Sequence, residues 1–164
     1  MDFYIDSAEA LEITDQEIAE LLFTVYIEAG FAAAEMATSL FEPSAVRSRG
    51  KIIGSREKQT LTFAGMVIVV YPNSPACRLA QGNETEMHLL GVKPAYRGHG
   101  LGRTLVTAAI ETVKQGGYLN MLLMTQPTMQ AAHYLYESTG FVRIPARDLN
   151  RGGRDFMVYE RSFK

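Results

Sequence analysis

Tyr96-Arg97-Gly98-His99-Gly100-Leu101-Gly102-Arg103-Thr104 lies between an apolar run and an amphipathic helical pattern. It reads as the end of a strand, a tight glycine-rich turn and the first residues of a helix. Such a turn aims several backbone N–H groups at one anion, and the helix start adds the positive end of its dipole. A phosphorylated ligand suits it, and the glycine spacing narrows the choice. The P-loop pattern fails because no lysine stands where Gly-x-x-x-x-Gly-Lys-Ser/Thr requires one. A Rossmann fingerprint needs Gly-x-Gly-x-x-Gly after the first strand, whereas these glycines run Gly98-x-Gly100-x-Gly102 late in the chain. A turn that holds no ligand and uses glycine only for packing gives the same local pattern.

Working outward, Glu84 to Val92 reads as the strand that leads into the turn. Behind it, Leu101, Leu105, Ala108, Ala109 and Val113 form one helical stripe that Gly116-Gly117 stops. Tyr118 to Thr125 is nearly all apolar, as in a central strand covered on both faces. A short helix through Ala131, Ala132, Leu135 and Tyr136 follows, closed by Gly140, then strands at Phe141 to Ile144 and Phe156 to Tyr159. Upstream, Thr14 and Glu17 have capping-box spacing before a helical face of Ile18, Leu21, Leu22, Val25 and Ala29. A weaker helical region runs from Ala32 to Leu40. Lys51 to Ser55 and Thr60 to Tyr71 read as strands joined by Arg56 to Gln59, and Pro72 to Asn83 as an irregular loop. The order predicts a mixed α/β (α+β) fold around one sheet.

Composition fits a soluble globular chain: 47% hydrophobic and 21% charged over 164 residues, read as one domain spanning residues 1–164. The net charge of −2 gives no global field that favours nucleic acid. The one cysteine, Cys77, forms no internal disulfide, and zinc-ligand spacing is absent. No basic leader opens the chain, and no apolar run approaches the roughly 20 residues that span a bilayer. A cytoplasmic location without membrane attachment is the expectation.

Two motifs together carry a resemblance. Arg97, Gly100 and Gly102 form Arg-x-x-Gly-x-Gly after a strand ending Leu90-Gly91-Val92, and Ala132-His133-Tyr134-Leu135-Tyr136-Glu137-Ser138-Thr139-Gly140-Phe141 follows a helix and a strand later. In this order they resemble the GNAT superfamily of N-acetyltransferases, over residues 84 to 145. The resemblance implies a mixed, mostly antiparallel sheet flanked by helices and splayed near its middle to admit acetyl-CoA. It places the cofactor on Leu90, Gly91, Val92, Arg97, Gly98, His99, Gly100, Leu101, Gly102, Arg103 and Thr104. It needs no metal.

Acetyl transfer to an amine requires a base for the acceptor ammonium, donors for the oxyanion and an acid for the leaving thiolate. Glu84, Glu86 and His88 share one face of their strand by alternation. The resemblance puts the base at Glu86, with Glu84 and His88 as alternatives; a solvated strand end is the competing reading. Tyr136 stands where family members keep the acid, and it also sits at core spacing with Ala132 and Leu135. Met129 departs from many members of the family, which carry a pantetheine-binding asparagine there; either Thr125, Thr128 or Gln130 substitutes for it, or the contact is lost. Cys77 has no evident base, which argues against a covalent intermediate. Arg143, Arg147, Arg151 and Arg154 make a basic stretch that reads as a solvated face, or as a hold for an acidic acceptor or the 3′-phosphate of coenzyme A. The expected acceptor is a small-molecule amine or a protein amino group. Family habit allows a homodimer, though no residue demands one. A non-catalytic acyl-CoA-binding or partner-docking module is the alternative.

Overall fold

The computed structural model describes residues 1–31 and 41–163. The helical region read at Ala32 to Leu40 lies outside them. Eight strands form one sheet in the order β1-β2-β3-β4-β5-β8-β6, with β7 paired to β8. They are β1 (Phe3–Ser7), β2 (Lys51–Glu57), β3 (Phe63–Val70), β4 (Glu84–Val92), β5 (Asn120–Thr125), β6 (Val142–Arg143), β7 (Leu149–Arg151) and β8 (Arg154–Ser162). All neighbouring pairs are antiparallel except β4–β5. The helices are α1 (Asp15–Glu28), α2 (Pro43–Ser48), α3 (Leu101–Gln115) and α4 (Gln130–Ser138). This is the expected mixed, mostly antiparallel architecture.

Each element follows from local chemistry. The capping box forms at α1: Glu17 N–H donates to Thr14 Oγ1 at 3.1 Å, and Thr14 N–H donates to Glu17 Oε1 at 2.9 Å. Arg56 then ties Glu17 to β2 at 2.8 Å, and that hydrogen bond holds the carboxyl down at about pKa 2. The end of α3 turns at Gly116-Gly117, where Tyr118 N–H donates back to the Val113 carbonyl at 3.3 Å.

The sheet separates two cores. Every residue of β3 is buried, and its side chains alternate between them. Val67 and Val69 pack with Leu105, Ala109 and Val113 of α3. Phe63, Met66, Ile68 and Val70 pack with Ile18, Leu21 and Leu22 of α1 and with Val46 of α2. A strand covered on both faces explains the unbroken apolar run. Several sequence boundaries shift: β2 continues to Glu57, β3 runs from Phe63 to Val70, β5 starts at Asn120, β6 contracts to Val142–Arg143 and β8 extends over Arg154–Ser162. β1 and β7 were not anticipated. Among the described residues no helix is long and apolar enough to cross a membrane.

Candidate active site

The parallel pair β4–β5 holds only from Glu84 to Glu86 against Asn120 to Leu122. Beyond that point the backbone of β4 has no strand partner on its β5 side among the described residues. A bulge accompanies the change: Met66 and Ile68 of β3 face Gly91 and His88, so β4 carries an extra residue there. Leu89, inside the bulge, takes φ 52, which is strained for a side chain of that bulk. Where pairing stops, a cavity of about 470 Å³ opens, walled by Met87 to Leu90 on one strand and Leu123 to Thr125 on the other, with Tyr136 of α4. The expected splay is therefore present, together with an open strand edge along Leu90, Gly91 and Val92.

A single 3-10 turn over Pro94–Tyr96 separates β4 from the glycine turn, so Tyr96, read from the sequence as the end of a strand, belongs to that turn instead. Among the described residues, no protein acceptor takes the N–H groups of residues 98–103. Gly98 and Gly100 have φ 81 and 78, and a Cβ on either would meet nothing within 4 Å. Their conformation needs glycine, and the space above them is open to a ligand. Gly102 has another role, because a Cβ there would lie 3.3 Å from Leu135 of α4. Gly91 packs likewise against Val25 and Leu21 of α1. Leu101 is buried and anchors the helix start, His99 is exposed, and Thr104 Oγ1 donates to the Gly100 carbonyl at 3.0 Å. Arg97 is engaged within the protein: its guanidinium grips Glu28 of α1 at 2.7 and 3.0 Å, and its Nε donates to the Val92 carbonyl at 3.1 Å. Arg103 reaches Ser138 Oγ at 2.8 Å, joining α3 to α4. Thus the turn offers backbone donors, while its two arginine side chains serve as struts.

Of the three base candidates, Glu84 is drawn away, pairing with Arg147 at 3.0 Å. Glu86 lies in the cavity wall, but its carboxylate is only 2% exposed and is filled. It accepts from the N–H groups of Arg78, Leu79 and Ala80, from Cys77 Sγ at 3.2 Å and from His88 Nε2 at 2.8 Å. Burial alone would raise its pKa, yet the hydrogen bonds from His88, Ala80, Leu79 and Cys77 bring it down to about 2. Arg49 Nη1 lies 3.1 Å from His88 Nδ1. A guanidinium only donates, so Nδ1 accepts and the ring proton sits on Nε2, facing Glu86. Burial and the Glu86 carboxylate push the Cys77 thiol up to about 11, unsuited to a nucleophile.

Tyr136 is 7% exposed and packs against Phe141 and Tyr159 at ring distances of 6.0 and 6.2 Å. Burial first, and the nearby Tyr26 phenol second, raise its pKa well above the ordinary tyrosine value. Tyr26, across the cavity, is pushed up to about 12 by burial. Both phenols therefore stay protonated donors. At the Met129 position the thioether receives Thr125 Oγ1 at 3.9 Å, so Thr125 is already engaged.

Cavity residues that sequence reasoning missed include Tyr26, Phe31, Phe41, Arg49 and Arg78. Tyr26 and Arg49 come from the helical region beside the sheet and Arg78 from a loop, none inside a recognisable motif. The basic stretch divides. Arg143 pairs with Asp148 at 2.7 Å and Arg147 with Glu84, whereas Arg151 and Arg154 reach the cavity.

This geometry can be compared with known proteins. A family model described as the acetyltransferase (GNAT) family matches residues 16–141. The chain belongs to the GNAT acetyltransferase family. Among curated relatives, a mycothiol acetyltransferase of Kocuria rhizophila is 41% identical over 58 residues, 35% of this chain and 19% of that protein. The N-alpha-acetyltransferase RimI of Mycobacterium tuberculosis is 39% identical over 64 residues, 39% of each chain. These matches thus span a minor part of the relatives' length. The solved structure of the PaiA N-acetyltransferase from Thermoplasma acidophilum, in complex with coenzyme A, superposes with TM-score 0.72 at 19% identity, over 99% of this chain and 100% of that one. At that identity the likeness is one of GNAT fold.

Proposed function

We propose that this GNAT protein transfers an acetyl group from acetyl-CoA to a primary amine by direct attack of the amine on the thioester. The carrying observation is the pairing of an unsatisfied N–H turn with a strand edge that loses its partner beside a cavity. The names of the relatives, mycothiol acetyltransferase and N-alpha-acetyltransferase, support acetyl as the cargo. The residues present suit coenzyme A as a substrate. Its pyrophosphate fits the N–H groups from Gly98 to Arg103 at the start of α3. Its pantetheine amides fit the open edge of β4 at Leu90 to Val92, as an added strand would.

In the transfer, the amine nitrogen bonds to the carbonyl carbon and the carbon–sulfur bond breaks. The nitrogen loses a proton, and the departing sulfur takes one from water. A saturated carboxylate held at about pKa 2 is a poor acceptor of an ammonium proton. We therefore assign Glu86 to positioning: it holds the loop from Cys77 to Ala80 and the His88 ring. The ammonium is disfavoured instead by its surroundings, because burial and the nearby guanidinium groups both oppose a cation. Its proton leaves to water at the cavity mouth.

Tyr136 is the donor to the leaving sulfur. A raised phenol pKa makes complete transfer to a free thiolate unfavourable, since thiols titrate near about 8.5. The phenol acts best as a hydrogen bond that strengthens while the carbon–sulfur bond breaks. In Tyr136→Phe, kcat is expected to fall at least about tenfold, with the KM for acetyl-CoA nearly unchanged. Phenylalanine keeps the ring packing, so the fold survives. Steady-state kinetics at saturating acceptor checks this, and a loss under about twofold removes Tyr136 from the chemistry.

A further inference from the structure

The cavity holds more cationic side chains than acetyl transfer uses. Its described lining includes Arg49, Arg78, Arg151 and Arg154, with Glu86 as the carboxylate, and the oxygens of Glu86 are filled. Arg49 is engaged with His88. Arg154 lies over the Phe31 ring at 4.1 Å and reaches Gln126 Oε1 at 3.5 Å. Arg78 and Arg151 differ. Both are exposed at the cavity, and among the described residues neither side chain makes a hydrogen bond or ion pair within the protein.

The placement of Arg151 is built into the backbone. It directly faces Arg154 in the β7–β8 hairpin, which turns through Gly152 and Gly153 at φ 58 and 79. Positive φ at both central residues is the type I′ turn, a tight connection that fixes register. Like charges directly opposite one another destabilise an antiparallel pair. Deeper in, Arg49 is held below the usual arginine range first by burial and, against the opposing effect of the Tyr26 phenol, also by the charge of Arg78. Around these cations the wall is apolar, with Phe31, Phe41, Met124 and Phe156. A low-dielectric wall strengthens the field of the cations inside it. The cavity lining contains no residue of the turn at 97–104, so these arginines stand apart from the pyrophosphate end.

We infer that the acceptor is a small amine that also bears a carboxylate, its apolar body in the cavity and its anion on Arg78 and Arg151. This rests on the acetyl-transfer reading, and it names the acceptor class. A cavity of about 470 Å³ lies in the range of small-molecule sites. The same arginines make the cavity hostile to polyamines, whose additional ammonium groups meet four guanidinium groups and one carboxylate that is already filled.

Binding tests the inference without turnover. The probes are N-acetyl-L-phenylalanine and its carboxamide, titrated calorimetrically into protein saturated with coenzyme A. The carboxylate is expected to bind at least about tenfold more tightly. The double variant R78E/R151E should lose that preference, while Lys58→Ala, on the exposed β2–β3 turn, should keep it. Both arginines are exposed, so the double variant should fold, and its melting curve checks that. Equal binding of the two probes, binding of neither, or a preference that survives in R78E/R151E overturns the inference. A parallel assay offers L-phenylalanine, its amide and spermidine as acceptors. Acetylation of the amide or spermidine in preference to the amino acid also overturns it, and leaves the transfer reading standing. Carboxylate-selective binding without acetylation of any acceptor sinks the transfer reading and keeps the anion site.

Discussion

Gly100→Glu is expected to abolish acetyl-CoA binding and to leave the fold intact. A Cβ at this position meets nothing within 4 Å, so the side chain displaces no core atom. Its cost to the fold is that of a non-glycine residue at φ 78, about 1 kcal/mol. Its effect on the ligand is larger. A carboxylate is placed beside the N–H groups of residues 98–103, the proposed seat of the pyrophosphate, and like charges so placed cost several kcal/mol. Affinity should therefore fall more than about a hundredfold. Calorimetry with acetyl-CoA, beside a melting curve, measures both parts. Unchanged affinity in a folded variant would mean that the turn does not hold the cofactor.

The second large effect concerns stability. Glu86→Gln is expected to destabilise the protein by about 3 kcal/mol at neutral pH. The carboxylate receives three loop N–H groups, the Cys77 thiol and His88, and an amide offers one acceptor oxygen in place of two. The sign with pH follows from linkage. The folded pKa, about 2, is depressed below the ordinary 4.5, so the contribution is fully present above pH 4.5 and is lost as pH falls toward 2. Wild type and Glu86→Gln should thus differ most at neutral pH and converge across that window. Glu17, also held at about 2, is common to both and cancels in the difference. Chemical denaturation at several pH values reads the gap. A gap independent of pH would contradict this account of the carboxylate.

Much of the fold was legible because period and punctuation agreed. The capping box at Thr14 and Glu17, the stripe ending at Gly116-Gly117 and the apolar run of β5 each carried their own local signal. β1 was not legible: five residues at a sheet edge, with Tyr4 exposed between half-buried Phe3 and Ile5, give too short an alternation. β7, of three residues, escaped for the same reason, although Gly152-Gly153 between two arginines marks its turn. The candidate site was legible where it is built from backbone, since glycines at Gly98 and Gly100 announce a positive φ. It was not legible where side chains from distant segments converge. The strand position of Glu86 carries no sign that a loop eight residues upstream fills its oxygens, and Arg97 gives none that Glu28 claims it. Arg49, Arg78 and Tyr26 meet only once the sheet has formed.

The central claim is that this chain moves an acetyl group to an amine. It is tested most directly by following thiol release from acetyl-CoA together with the mass of the acceptor, over amino acids, other primary amines and peptide N-termini. The account predicts one acetylated amine for each thiol released with at least one acceptor class, and loss of both signals in Gly100→Glu. Tight acetyl-CoA binding with no acetylated product across that panel would contradict it, and would make the protein a binding module with the same fold.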